Sequence, residues 1–106
     1  MTKKNIIMAM KEILEQVSEL NENLSGRILY VFDTWNNSHR VKVIQKVVWN
    51  LCSIELIVTS KDKLSDKKES IVGFSIEQLK KLVANKKIKK VIPTTECETY
   101  VEYEII

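Results

Sequence analysis

The chain has 106 residues, 44% of them hydrophobic and 29% charged, with a formal net charge of +3. That size and balance predict a single globular domain over residues 1–106, and they exclude a disordered or low-complexity chain. With only two glycines and one proline, no Gly-rich phosphate loop and no flexible linker can be drawn.

No apolar run approaches the ~18 residues that a membrane helix needs. The opening run NIIMAM meets Lys11 and Glu12 too soon for a secretion signal, so a cytoplasmic chain with no membrane partner is expected. Charge is distributed unevenly. Residues 1–60 carry seven basic and six acidic groups, residues 61–90 ten lysines against four acids, and residues 91–106 four glutamates and no base. Lysine outnumbers arginine fifteen to two. Lysine is a flexible point charge that lacks the planar fork used to read guanine, so the basic stretch predicts diffuse attraction rather than base readout.

The first element is a helix over about 3–23. Ile6, Ile7, Met10, Ile13, Leu14, Val17, Leu20 and Leu24 recur at spacings of three and four, with Lys and Glu on the other side. Gly26 lies where a helix would stop. RILYVFDTW, 27–35, reads as a central strand, since it is apolar on both faces for several positions. A second strand begins near His39, with a bulge around Gln45 to Val48 where alternation breaks. A turn near Asn50 to Cys52 leads to a third strand at 53–60. KDKLSDKKES is the most polar loop, and its tip is expected to be mobile. Ser75 and Gln78 fit a capping box, with Phe74 stapled on Leu79, opening a helix at 76–86. Strands at 88–92 and 97–105 follow, separated by a turn at PTTE.

The order is thus α-β-β-β-α-β-β. It predicts an α+β fold, an antiparallel sheet of about five strands with two helices packed on one face. In element order alone it resembles type III secretion chaperones and some toxin-immunity proteins. Its first five elements are similar in order to a double-stranded-RNA-binding domain. In that family the phosphate-gripping lysines open the second helix, where this chain has SIEQ with Glu77.

DTWNNSHR, Asp33 to Arg40, gathers an Asp, a Ser and the single His. A two-residue hairpin turn at Asn36-Asn37 sets Trp35 opposite Ser38, Thr34 opposite His39 and Asp33 opposite Arg40. Ser38 and His39 then point to opposite faces and cannot form a nucleophile–base pair. The same register puts Ile28, Tyr30, Phe32, Val41 and Val43 on the face expected to floor the helices. Arg27, Leu29, Val31, Arg40, Lys42, Ile44 and Lys46 share the other.

Cys52 and Cys97 lie 45 positions apart, with no CxxC and no neighbouring His. A zinc site needs about four suitably spaced ligands, so no metal or cofactor is expected and both thiols are read as reduced and partly buried. Glu96, Glu98, Glu102 and Glu104 share one strand face but are spread too far apart to converge on a cation, and are expected to meet lysines such as Lys42, Lys46 or Lys89 across the sheet.

These readings favour a non-catalytic protein-binding or regulatory module, with another protein or a second copy as partner. The style of the chain, rich in Lys, Ile and Asn, fits an inhibitor of a host system carried by a phage or mobile element. The expected contact surface is the apolar strip with a basic fringe, Leu29, Val31, Arg40, Lys42 and Ile44, together with Trp35 at the hairpin tip. The alternative is sequence-independent nucleic-acid binding by Lys80, Lys81, Lys86, Lys87, Lys89 and Lys90.

Overall fold

The apolar stripe of the first segment forms helix α1, Lys3–Leu24, in a computed structural model that describes residues 3–50, 53–61, 67–92 and 99–106. Strands β1 (Ile28–Asp33), β2 (Ser38–Asn50), β3 (Ser53–Ser60) and β4 (Lys68–Phe74) follow, then helix α2 (Ile76–Asn85), β5 (Lys87–Ile92) and β6 (Thr99–Ile105). The six strands pair antiparallel in the order β4-β3-β2-β1-β6-β5. This is the expected α+β architecture with six strands rather than about five.

The additional strand is β4. Its first residues, Lys68, Glu69 and Ser70, read as the end of a polar loop. Gly73, at φ 87°, then breaks the alternation, and a register shift against β3 accompanies it. β4 also interrupts the α-β-β-β-α order on which the likeness to a double-stranded-RNA-binding domain rested. α2 opens as expected. The Gln78 N–H donates to Ser75 Oγ and the Ser75 N–H to Gln78 Oε1, closing the capping box. Lys86 closes the helix at φ 65°, its N–H donating to the Leu82 carbonyl. The expected bulge in β2 lies between Ile44 and Lys46, leaving Gln45 exposed.

The β1–β2 connection is longer than expected. Pairing ends at Asp33 opposite Ser38, so the loop holds four residues, 34–37, and Val31 rather than Asp33 lies opposite Arg40. Two sets of bonds impose this. The Asp33 carboxylate accepts from the Trp35 and Asn36 N–H groups, at 3.0 and 3.4 Å, and from the Asn36 side-chain amide at 3.1 Å. Thr34 is drawn to β6 instead of His39: its N–H and hydroxyl both donate to the Tyr100 carbonyl, and the Tyr100 N–H donates back to the hydroxyl. Asn37 takes the left-handed conformation, φ 49°. The slip is two residues, so every side chain keeps the face it was given.

What reverses is the face that the helices cover. Leu29 and Ile44 are 0% exposed and join Leu56, Val58, Phe74, Tyr103 and Ile105 in the core, under Val17, Leu20 and Leu24 of α1 and Leu79 and Leu82 of α2. Ile28, Tyr30, Phe32, Val41 and Val43, expected as the helix floor, face away from both helices and are only partly buried. The turns at 50–52 and 93–96, the loop tip at 62–66 and the two cysteines fall outside the described residues in whole or part.

The sheet curls towards the helices until its two edges approach. Lys90 of β5 donates to the Val72 and Gly73 carbonyls of β4, at 3.4 and 2.8 Å, and sits 4.6 Å from the centre of the Phe74 ring. Burial there lowers its pKa from the ordinary lysine value. α1 is pinned by a different device. Beyond the start of β1, the free edge of β2 is met by the Asn21 side chain. Its amide donates to the Val47 carbonyl at 2.7 Å and its oxygen accepts from the Val47 N–H at 2.6 Å. A side-chain amide thus stands where a neighbouring strand would.

Asn21→Leu strips both partners from a partly buried peptide unit and should destabilise the chain by about 2–4 kcal/mol, read from urea unfolding. By the same measurement Leu29→Ala should cost about 2–5 kcal/mol, whereas Trp35→Ala should stay within about 0.5 kcal/mol.

Candidate functional site

Among the described residues, one face of the sheet carries no helix. Its centre is built by β1 and β2, because alternation turns Ile28, Tyr30 and Phe32 outward beside His39, Val41 and Val43. On β3 the row ends, since Thr59 lies opposite Val43 and Ile57 lies opposite Lys46, beyond the bulge. The aromatic part is ordered by stacking. The His39 ring lies 4.4 Å from Phe32, nearly parallel, and 5.6 Å from Tyr30, while Nδ1 of His39 and the Tyr30 hydroxyl share a hydrogen bond.

Charge borders this row on the β6 side. Glu104 lies opposite Tyr30 and Glu102 opposite Phe32. Beyond them Lys87 forms an ion pair with Glu102, and Lys89 sits over the Tyr100 ring at 4.7 Å. The hydrogen bond from Lys87 to Glu102, and the charge behind it, raises the Lys87 pKa above its ordinary value. The expected pairing of the C-terminal glutamates with lysine is therefore present for Glu102, through Lys87 rather than Lys42, Lys46 or Lys89.

The residues expected to meet a partner are dispersed. Leu29 and Ile44 are in the core and have no surface to offer, because β1 and β2 turn that face towards the helices. Val31, Arg40 and Lys42 come together at the end of the sheet that the helices leave uncovered, in a cleft of about 340 Å³ shared with Glu69, Ile71 and Tyr103. Lys42 is buried there and donates to Glu69 at 3.2 Å. Burial, with the Asp33 charge, raises the Tyr103 pKa. Trp35, 60% exposed, stands at the hairpin tip as expected.

The lysines from 80 to 90 do not form one surface. Lys80 and Lys81 project from α2 and Lys86 ends it. Lys87 and Lys89 lie on the open sheet face, and Lys90 is turned to the other side and bonded to β4. Ser38 and His39 occupy opposite faces, and Asp33 is engaged by its own loop. Among the described residues no cluster of three His, Cys, Asp or Glu side chains could hold a metal, and no helix is long and apolar enough to cross a membrane.

Tyr30, Phe32, Val41 and Val43 share one face, as their alternation predicts, but that face is the open one and not the floor of the helices. The missed signal was β6, whose Glu102 and Glu104 can only lie on the solvent side and are neighbours of Phe32 and Tyr30. The molecule is defined as a small α+β domain with one closed and one open sheet face. Comparison with family models, curated proteins and solved structures finds no match to the chain.

The Lys42–Glu69 pair gives an asymmetric expectation. Glu69→Ala leaves a buried ammonium without its carboxylate and should cost about 1–2 kcal/mol, discounted because Glu69 is half exposed, whereas Lys42→Met should be near neutral. Urea unfolding of the two variants checks this.

Proposed function

We propose that the chain is a non-catalytic protein-binding module that engages its partner through the open sheet face. One observation carries the reading. The central strand β1 is apolar on both faces, although among the described residues only one face is covered. A solvated face of an antiparallel sheet ordinarily alternates to polar residues. Here the row from Tyr30 and Phe32 through Val41 and Val43 stays apolar and is bordered by charge on β6 and by Thr59 on β3, the composition of an interface core with its polar rim. The stacked Phe32 and His39 rings, with Tyr30 tilted against His39, supply contact area of the kind that dominates binding energy.

A protein partner suits this face better than a polyanion. Glu102 and Glu104 border the aromatic row and would repel phosphate. Two of the nearby lysines are already engaged, Lys87 with Glu102 and Lys89 with Tyr100. A regulatory role, such as stoichiometric inhibition of a larger protein by a mobile-element product, fits a small chain that offers a surface rather than a cleft with converging reactive groups.

A photo-crosslinking amino acid at Val43 should trap a discrete partner in the native host, and the same group at Lys80 on α2 should not. Phe32→Ser with Val43→Lys should abolish the adduct formed from a probe at Ile57 while leaving the unfolding free energy within about 1 kcal/mol of the parent. Equal trapping from Lys80 and Val43 would sink the assignment. So would salt-sensitive retardation of generic nucleic acid that Lys86→Glu with Lys87→Glu removes.

A further inference from the structure

The inward face of the sheet changes character towards the β1–β2 hairpin. Its positions run Ile44, Lys42 and Arg40 along β2, and Leu29, Val31 and Asp33 along β1. Ile44 and Leu29 belong to the core under the helices. The later positions lie beyond the helices and line the cleft of about 340 Å³. That volume falls in the range of small-molecule sites, about 300–1,000 Å³. The cleft opens on the inward side, opposite the open sheet face, so either proposal can fail without the other.

Strand register decides what meets in it. Val31 lies directly opposite Arg40 on one side and Tyr103 on the other. Strands about 4.8 Å apart put the Arg40 and Tyr103 backbones roughly 10 Å from each other, with Val31 as the floor between them. Lys42 follows Arg40 on the same face, about 6.7 Å along the strand. Val101 and Ile71 add to the apolar lining. A small apolar floor is thus bordered by three side chains that donate hydrogen bonds.

These donors are not used up within the chain. Lys42 is only 8% exposed, and its ammonium can donate three bonds but gives one, to Glu69 at 3.2 Å. Among the described residues, neither the Arg40 guanidinium nor the Tyr103 hydroxyl has a hydrogen-bond acceptor. Burial and the Asp33 charge raise the Tyr103 pKa, so the phenol keeps its proton and can donate it to a bond. The carboxylates are already engaged. Asp33 accepts three bonds inside its own loop, and Glu69 accepts from Lys42. The two acids balance the two bases, so selection here comes from unfilled donors and not from net charge. Stability gives no reason for a cation at this place, since a buried ion pair adds little over apolar residues of the same volume.

We propose that the cleft binds a small organic oxyanion, a carboxylate or phosphate group carried on a compact apolar body. The body rests on Val31, and the oxyanion sits between Arg40, Lys42 and Tyr103. Arg40 offers its planar fork from the rim, Lys42 a point charge from below, and the phenol a further bond. Lys42 keeps its bond to Glu69, because two N–H groups remain. The binding is non-covalent, and no nucleophile–base pair lines the cleft.

A titration of the full chain followed by methyl and amide NMR tests this, with benzoate, phenyl phosphate, inorganic phosphate and benzyl alcohol as probes. Benzoate or phenyl phosphate should bind saturably and shift the methyls of Val31, Ile71 and Val101. The tighter of the two identifies the preferred oxyanion. Benzyl alcohol and inorganic phosphate should each bind about tenfold more weakly, having only one half of the recognised structure. Arg40→Gln and Lys42→Met should each weaken the tighter probe by about tenfold or more, and Tyr103→Phe by less, all with native amide spectra. The proposal is overturned if neither organic anion saturates, or if benzyl alcohol or inorganic phosphate binds equally well. Affinity unchanged by both Arg40→Gln and Lys42→Met overturns it too, as do shifts centred on Tyr30 and Phe32 of the open face.

Discussion

β1 is held between β2 and β6, and strand alternation there decides what the molecule can present. With a neighbour on each side, the strand has one remaining freedom, which face goes inward. That choice is made by the neighbours. If Tyr30 and Phe32 turned to the helices, Glu104 and Glu102 would turn with them, since they lie directly opposite across the β1–β6 ladder. Two carboxylates would then enter an apolar core, at a cost of several kcal/mol each after relaxation. Burying Leu29 and Ile44 instead gains about 1.5–3 kcal/mol for each side chain. The acids on β6 therefore orient β1, and β1 in turn exposes its aromatics.

This is also why the fold was more legible than the site. Periodicity located α1, the strand at 53–60, and α2 with its capping box, because those signals are local. The face of β1 was not local information. Ile28, Tyr30 and Phe32 are as apolar as Leu29 and Val31, so the strand itself is ambiguous. The answer depended on knowing that β6 adds beside β1, which is a matter of strand order. The hairpin loop failed for a related reason. Asn36-Asn37 is a good two-residue turn in isolation, but Thr34 is bound to Tyr100, 66 positions away, and Asp33 closes a longer loop around Asn36. β4 escaped because its pairing with β3 carries it through Lys68, Glu69 and Ser70, where the pattern is polar.

The closed side of the sheet is completed by polar devices as well as packing. Asn21 satisfies the Val47 peptide where β1 does not reach, and Lys90 satisfies β4 carbonyls at the opposite edge. Lysine at such a place also blunts an edge strand against pairing with another chain. With the core face packed and one edge partly capped, the apolar row from Tyr30 to Val43 remains an uncovered sheet surface among the described residues.

The open sheet face carries no charge gradient along its border. Glu102, Glu104, Lys87 and Lys89 mix both signs there, which gives no preference for the same face of a second copy. The helices lie on the side of the sheet away from that face, so a partner seated on it would meet neither of them, and its contact would be made by the β1 and β2 side chains and their charged border alone.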